Sequence, residues 1–512
     1  MRQGSEHKGS ATTDDTRPGV LAALLEHDAA SPALRAPEDA VAVSFGQLGE
    51  IVELLAARLA SLGVGKGDCV ALALPPGPEF VELLLAIATL GAAAAPLNPA
   101  YSESEFSFYL DDLKPRALLL GEGELEAARR ARKPGVRLVD VALAPGIAPE
   151  LRSDGAPTSH AERSEGGPDD TALLLHTSGT TSRPKQVPLR HGNLMASASS
   201  IARHYALTAD DVSYCAMPLF HVHGLVASTF SMLATGGLVV VPRRVGPARF
   251  WSQVVAHGVT WYSASPTLHQ MLLERAPERL ERSQLRFARS CSSALAPELL
   301  VRLEEYLGVP MLEAYGMTEA SHEMAANPLP PGRRLPGSVG IPTGAEIDVV
   351  DDGGTPVPAG AVGEVVIRGP GVTSGYLAND KANAESFRNG WFRTGDQGRF
   401  DDGYLLLTGR IKEIIIRGGE NISPHEVEAV LTAHPAVAEA VAYGIADAKY
   451  GQLVGAAVVP RAETTEAELI AHCAEQLASF KVPTVVHVVE SIPRTPTGKV
   501  QRPRMAAYFG EE

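Results

Sequence analysis

From Gly19 to about Asp140 the chain alternates short apolar runs with amphipathic segments of helical period, and nothing else in the sequence restricts the fold as strongly. Residues 41–45, 69–74 and 117–120 read as strands, and residues 46–62 and 78–90 as helices. Strands separated by covering helices imply a parallel sheet buried on both faces. The alternation resumes over 211–242, 259–265, 285–290 and 310–315. Then residues 346–351, 363–369 and 403–410 take the form of antiparallel strands, with Asp351-Asp352-Gly353-Gly354 as a turn. Residues 145–170 carry no periodicity and read as a surface loop.

From Ile411 the chain reads as a compact α+β unit of about one hundred residues. Ser423-Pro424-His425-Glu426 opens its first helix with the residue order of a capping box. Strands over 437–445 and 454–459 and a helix over 466–477 follow. A chain of 512 residues has room for two to four structural units. The expected fold is α/β: a large N-terminal domain of mixed sheets covered by helices, with added antiparallel sheet, and a small α+β C-terminal lid domain. The expected boundaries are a disordered 1–17, an N-terminal domain 18–411 and a mobile lid 412–512.

The net charge of −15 argues against nucleic acid or an anionic membrane as partner, because both need a basic face. The four cysteines, Cys69, Cys215, Cys291 and Cys473, are far apart and have neither zinc spacing nor a disulfide pattern. The first 17 residues lack an apolar core, no run approaches the roughly 18 apolar residues of a membrane helix, and the last residues are not a peroxisomal address. A soluble, cytoplasmic protein is expected.

An acidic chain that binds an anion must gather its donors locally. Leu173-Leu174-Leu175-His176-Thr177-Ser178-Gly179-Thr180-Thr181-Ser182-Arg183-Pro184-Lys185 does so: an apolar run breaks into hydroxyls and glycine and ends in a cation. Hydroxyls and amides donate to phosphate oxygens, glycine lets backbone approach, and lysine adds charge. The stretch reads as a phosphate loop between a buried strand and a helix starting near Asn193. It is not the G-x-x-x-x-G-K-[ST] loop.

This stretch resembles the signature of the acyl-adenylate-forming superfamily, and five further stretches match its motifs in order. Tyr315-Gly316-Met317-Thr318-Glu319 leaves a strand; Thr394-Gly395-Asp396 follows a turn; Gly409-Arg410-Ile411-Lys412, Arg417-Gly418-Gly419-Glu420 and Thr497-Gly498-Lys499 come later. The resemblance implies ATP, Mg²⁺ and coenzyme A as cofactors. It places Thr177, Ser178, Gly179, Thr180, Thr181, Lys185 and Ser292 around the nucleotide, Tyr315 on adenine, and Asp396 and Arg410 on ribose. Thr318 and Glu319 are implied at the phosphates, with Glu319 and Thr177 holding Mg²⁺. Lys412 is the implied hinge, Gly418 and Gly419 line the pantetheine path, and Lys499 is the catalytic lysine. These residue types suit the roles: a flat ring fits a purine, and a hard carboxylate fits magnesium. One departure is Gln186, where relatives carry glycine; a position requiring positive φ would cost a side chain about 1 kcal/mol.

Met217-Pro218-Leu219-Phe220-His221-Val222-His223-Gly224 resembles the segment that gates the acid pocket, Arg289-Ser290-Cys291-Ser292-Ser293 stands in place of the superfamily's Gly/Ala-rich nucleotide loop, and Ala320-Ser321-His322 follows Glu319. These variants resemble the oxalate–CoA ligase branch. A second carboxylate on the substrate needs donors deep in the pocket, and His221, Ser292 and His322 are the candidates, while His223 reads as packed. The expected activity is an AMP-forming acid–thiol ligase acting on a small carboxylic or dicarboxylic acid such as oxalate, as a monomer or homodimer. Two alternatives stay open: adenylation with an amine, carrier-protein thiol or small oxyanion acceptor, and a nucleotide-binding regulator without catalysis.

Overall fold

The computed structural model describes residues 19–39, 42–143, 147–154, 165–177, 184–494 and 500–511. Within them the apolar runs of the first half form two large sheets. The seven-stranded sheet runs, across its width, Glu150–Ser153, Arg137–Ala142, Ala117–Gly121, Cys69–Ala73, Ala93–Pro96, Thr171–Thr177 and Lys185–Arg190. Its inner strands are parallel, and the two edge strands are antiparallel to their neighbours.

The nine-stranded sheet is parallel through Leu238–Val240, Val212–Cys215, Trp261–Ala264, Phe287–Ser290 and Met311–Met317. It then turns antiparallel through His322–Ala326 and Ile341–Pro342. Helices such as Phe45–Ser61 and Pro78–Thr89 fill the space between layers. The first is fixed by a capping box in which Ser44 Oγ accepts from Gln47 N–H at 3.2 Å and Gln47 Oε1 accepts from Ser44 N–H at 3.0 Å.

A third, antiparallel sheet joins Glu346–Val350, Gly363–Arg368, Trp391–Asp401 and Tyr404–Arg410. Its inner residues Val349, Val365, Ile367, Phe392 and Leu405 share one apolar core with Leu72, Leu173 and Leu225 of the first half. A fourth sheet, Glu420–Ile422, Ile415–Arg417, Gly451–Pro460, Val437–Asp447 and Val485–Val488, encloses cores drawn only from residues beyond Ile415. The fold is therefore a large mixed α/β domain and a smaller C-terminal α+β domain. Core membership changes across the short turn Ile411–Glu413.

Four local expectations change. Residues 145–170 include a strand, Glu150–Ser153, which pairs with Arg137–Ala142. The phosphate-loop stretch joins antiparallel strands, since Thr177 pairs with Lys185 and the helix begins only at His191. Gln186 pairs with His176 inside that ladder and is not among the described residues of positive φ, so the side chain there carries no left-handed strain. Its Nε2 donates to the Asp112 carbonyl at 2.8 Å and carboxylate at 2.6 Å. Finally, Ser423 makes no side-chain cap on the helix Pro424–Ala433. Its hydroxyl donates to the Thr408 carbonyl, and Glu426 is held by Lys481 at 2.6 Å. Tertiary partners have taken both groups of the capping box. Residues 1–17, expected to be disordered, lie outside the described residues.

Candidate active site

The parallel strands of the nine-stranded sheet end together, and ligands in open α/β sheets collect at the carboxyl ends of such strands. Here Trp261–Ala264, Phe287–Ser290 and Met311–Met317 deliver Ser263, Arg289 to Ser292, and Tyr315 to Glu319. The last strand turns back through Thr318–Ala320 into His322–Ala326, with Met317 opposite His322. One hairpin thus carries Glu319 at its tip and His322 just beyond it.

On one side of this hairpin lies a group suited to a nucleotide. The Tyr315 hydroxyl donates to Asp396, and Arg410 Nε forms an ion pair with the other Asp396 oxygen at 3.0 Å. Asp396 and Arg410 are themselves paired across Trp391–Asp401 and Tyr404–Arg410. Each Asp396 oxygen keeps a further lone pair, so the carboxylate is oriented yet still able to accept two ribose hydroxyls. The charge of Asp396 raises the affinity of Arg410 for its proton, and burial with Asp396 nearby holds Tyr315 far from ionisation.

Glu319 is only 7% exposed, and the Tyr376 hydroxyl donates to its Oε1 at 2.8 Å. Lys185 Nζ sits 4.1 Å from the centre of the same tyrosine ring, a cation–π contact. Burial lowers the Lys185 pKa, Glu319 opposes the shift and Lys412 adds to it, so these three charges share one neighbourhood. Among the described residues no cluster of three or more His, Cys, Asp or Glu could enclose a metal. A single oriented carboxylate fits Mg²⁺, which is commonly shared between one or two carboxylates and substrate phosphates. Thr318 is half-buried in the turn beside Glu319, and Thr177 ends its strand opposite Lys185.

On the other side is a buried polar cluster. Arg289 and Glu323 form an ion pair at 2.8 Å with both side chains fully buried. The Arg289 guanidinium also donates to Tyr205 Oη at 3.1 Å and Ser263 Oγ at 2.9 Å, and lies 3.0 Å from His322 Nε2. His223, stacked on His322 with ring centres 5.0 Å apart, reaches Ser263 Oγ through Nε2 at 2.6 Å and Ser292 Oγ through Nδ1 at 2.9 Å. Burial, then the Arg289 charge, drives both imidazoles well below the usual histidine pKa, so both are neutral. Ser292 is exposed and left-handed at φ 80, a conformation that costs a residue with a side chain about 1 kcal/mol. His221 packs on Phe220 at 4.8 Å and adds to the charges acting on His223.

The hairpin therefore brings Tyr315, Thr318, Glu319, Asp396, Arg410, Lys185 and Lys412 to one flank, and His221, Ser292 and His322 to the other. Ser292 sits with the acid-pocket donors. Gly418 and Gly419 occupy the exposed tip between Ile415–Arg417 and Glu420–Ile422, with φ of 62 and 90, where a two-residue hairpin needs glycine. Gly418 N–H donates to the Tyr450 carbonyl at 2.7 Å, within the C-terminal sheet. Ser178, Gly179, Thr180, Thr181 and Lys499 lie outside the described residues.

Sequence reading missed Arg289, Ser263, Glu323 and Tyr376. A signal for Arg289 existed: an arginine in the strand Phe287–Ser290, directly after apolar Phe287 and Ala288, has to find a partner. His223, read as packed, is buried but bonded at both ring nitrogens.

One hairpin thus separates a group suited to a nucleotide from a buried polar cluster. The chain belongs to the AMP-binding enzyme family: the family profile matches residues 24–377, and the profile of the AMP-binding enzyme C-terminal domain matches 426–499. It is 46% identical to an oxalate–CoA ligase of Arabidopsis thaliana, over 92% of this chain and 94% of that one. An oxalate–CoA ligase of Saccharomyces cerevisiae is 44% identical, with 88% of each chain covered. Among solved structures, ATP-bound MatB from Rhodopseudomonas palustris superposes with a TM-score of 0.86 at 30% identity, covering 96% of this chain and 98% of that one. MenE from Bacillus subtilis, with ATP and magnesium, gives 0.82 at 32% identity, covering 95% and 98%.

Proposed function

We propose that this protein is an AMP-forming acid–CoA ligase that activates a small dicarboxylic acid, with oxalate as the leading substrate. The observation that carries the reading is the buried polar cluster beside the hairpin, which we take as the wall of the acid pocket. Ser292, His322 and His223 stand where an aliphatic acid would need apolar walls, and Arg289 and Glu323 lie behind them. A second carboxylate buried there without donors would cost several kcal/mol. The oxalate–CoA ligases at 46% and 44% identity support the same substrate class, as does a sulfoacetate–CoA ligase of Cupriavidus necator at 36%, named for another small dianion.

In the first half-reaction an acid carboxylate oxygen attacks the α-phosphorus of ATP and pyrophosphate leaves. In the second, the coenzyme A sulfur attacks the acyl carbon and AMP leaves. Bound Mg²⁺ supplies charge neutralisation at the phosphates, and Glu319 and Thr177 are the groups proposed to hold it. Asp396 and Arg410 orient the ribose, and Lys185 balances phosphate charge. Lys499 is the cation that offsets repulsion between the attacking carboxylate and the phosphate. The turn Ile411–Glu413 is proposed as the hinge, about Lys412, that brings Gly418 and Gly419 to the second half-reaction.

The test is an acid panel of oxalate, malonate, sulfoacetate, acetate, hexanoate and benzoate, followed by pyrophosphate release and by the mass of the thioester. Oxalate is expected to give the highest kcat/KM and an oxalyl thioester. A preference for hexanoate or benzoate would overturn the substrate assignment, and pyrophosphate release without a thioester would overturn the acceptor.

A further inference from the structure

The polar cluster behind the acid pocket has a direction, set by a group that can only donate. Arg289 has no acceptor, so Ser263 Oγ, 2.9 Å from its terminal nitrogen, must accept from it. Ser263 is fully buried, and its own hydroxyl proton needs an acceptor; His223 Nε2 lies 2.6 Å away. With Nε2 accepting, neutral His223 carries its proton on Nδ1 and donates it to Ser292 Oγ at 2.9 Å. The Ser292 hydroxyl proton is then free to point into the pocket. The reverse order would make Ser263 accept twice and leave its proton without an acceptor among the described residues in a dry interior, at a cost of about 1–3 kcal/mol. The same guanidinium donates to His322 Nε2 at 3.0 Å, so that imidazole also carries its proton on Nδ1.

We propose that Arg289, through Ser263, fixes the Nδ1–H tautomer of His223 and thereby makes Ser292 an obligate hydrogen-bond donor to the substrate's second carboxylate. Arg289, Ser263 and His223 are positioning residues; Ser292 alone in this relay touches the acid. Glu323 balances the Arg289 charge, so the relay presents a donor without presenting a naked cation. A neutral donor of fixed sense favours a carboxylate or sulfonate over an alkyl or aryl group at the pocket floor, and the relay's catalytic role rests on the dicarboxylate reading above.

Two measurements on the full-length enzyme decide it. In histidine-selective ¹⁵N NMR, with His223 assigned by loss of its signals in His223→Gln, the wild type is expected to show a single neutral Nδ1–H tautomer. Ser263→Ala is expected to lose that preference. A wild-type His223 protonated on Nε2, or on both nitrogens, overturns the relay whatever the acid proves to be. In steady-state kinetics with oxalate, Ser263→Ala and His223→Leu are expected to raise KM for oxalate at least tenfold while KM for ATP moves less than twofold. His223→Asn, which keeps an amide donor near the Nδ1 position, is expected to recover most of the loss. Equal rises in both KM values, or no rescue by His223→Asn, reduce the cluster to a structural role and overturn the proposal. A wild type that makes no oxalyl thioester is the separate failure of the functional reading, and the NMR result then still decides the hydrogen-bond direction.

Discussion

Glu82 shows how a single buried group leaves a mark on the whole protein's pH dependence. It lies on the helix Pro78–Thr89, 1% exposed, with one carboxylate oxygen that finds no partner among the described residues. Its neighbour Glu79 accepts two guanidinium bonds from Arg243, at 2.8 and 2.6 Å, and Arg243 also donates to Asp39 at 3.1 Å. Burial, with the Glu79 charge second, pushes Glu82 up to about 8 from 4.5. Between those values the unfolded chain has released a proton that the folded chain keeps, so stability falls as pH rises, by at most about 1.4 kcal/mol per pH unit. Glu82→Gln is expected to flatten that fall between pH 5 and 8 in urea titrations; an unchanged slope would mean Glu82 is ionised in the fold. Gln186→Gly is expected to lose about 2 kcal/mol, from two hydrogen bonds to Asp112 and a flexible residue placed in a strand, with no gain in kcat. A more active Gln186→Gly enzyme would show that the glutamine does disturb Lys185.

Elements were readable from the sequence where one face or both had to be buried, and less so where tertiary partners decide. The helices Phe45–Ser61, Pro78–Thr89 and Glu466–Gln476 fall within a residue or two of their periodic patterns. By contrast, Lys185–Arg190 was hidden because an edge strand of mixed polarity has no clear period, and Glu150–Ser153 for the same reason. The Ser423 cap failed because a carbonyl from another sheet, at Thr408, outcompeted the helix N-terminus. Ser423→Ala is therefore expected to cost about 1 kcal/mol through that one bond, without changing helix content by circular dichroism. At the site, the motif stretches are contiguous in the sequence, whereas the Arg289 relay joins two strands, a helix and the loop at Ser292 and is spelled by no contiguous stretch. The Gly418-Gly419 tip belongs to this scale too. Gly419→Ala, at φ 90, is expected to slow thioester formation from supplied acyl-AMP while leaving pyrophosphate release within twofold. An effect on pyrophosphate release instead would assign the tip to adenylation.

At the level of the whole molecule, the apolar clusters divide into two sets on either side of one short turn. The large domain holds the residues proposed to bind nucleotide and acid, and the C-terminal domain carries Gly418 and Gly419 and, within its family-profile match, Lys499. Such a division suits a reaction in two steps, because each step needs a different set of groups around the same carbonyl. Lys499→Ala is expected to abolish acyl-AMP formation and to spare thioester formation from synthetic acyl-AMP; equal loss of both would contradict separate roles. No helix among the described residues is long and apolar enough to cross a membrane.

The central claim is that an acid carboxylate oxygen attacks the α-phosphorus, and isotope transfer tests it most directly. Oxalate labelled with ¹⁸O in its carboxylates is turned over with ATP, Mg²⁺ and coenzyme A, and the products are weighed by mass spectrometry. One ¹⁸O in AMP, with unlabelled pyrophosphate, is the result this account predicts. Label in orthophosphate alongside ADP would contradict it.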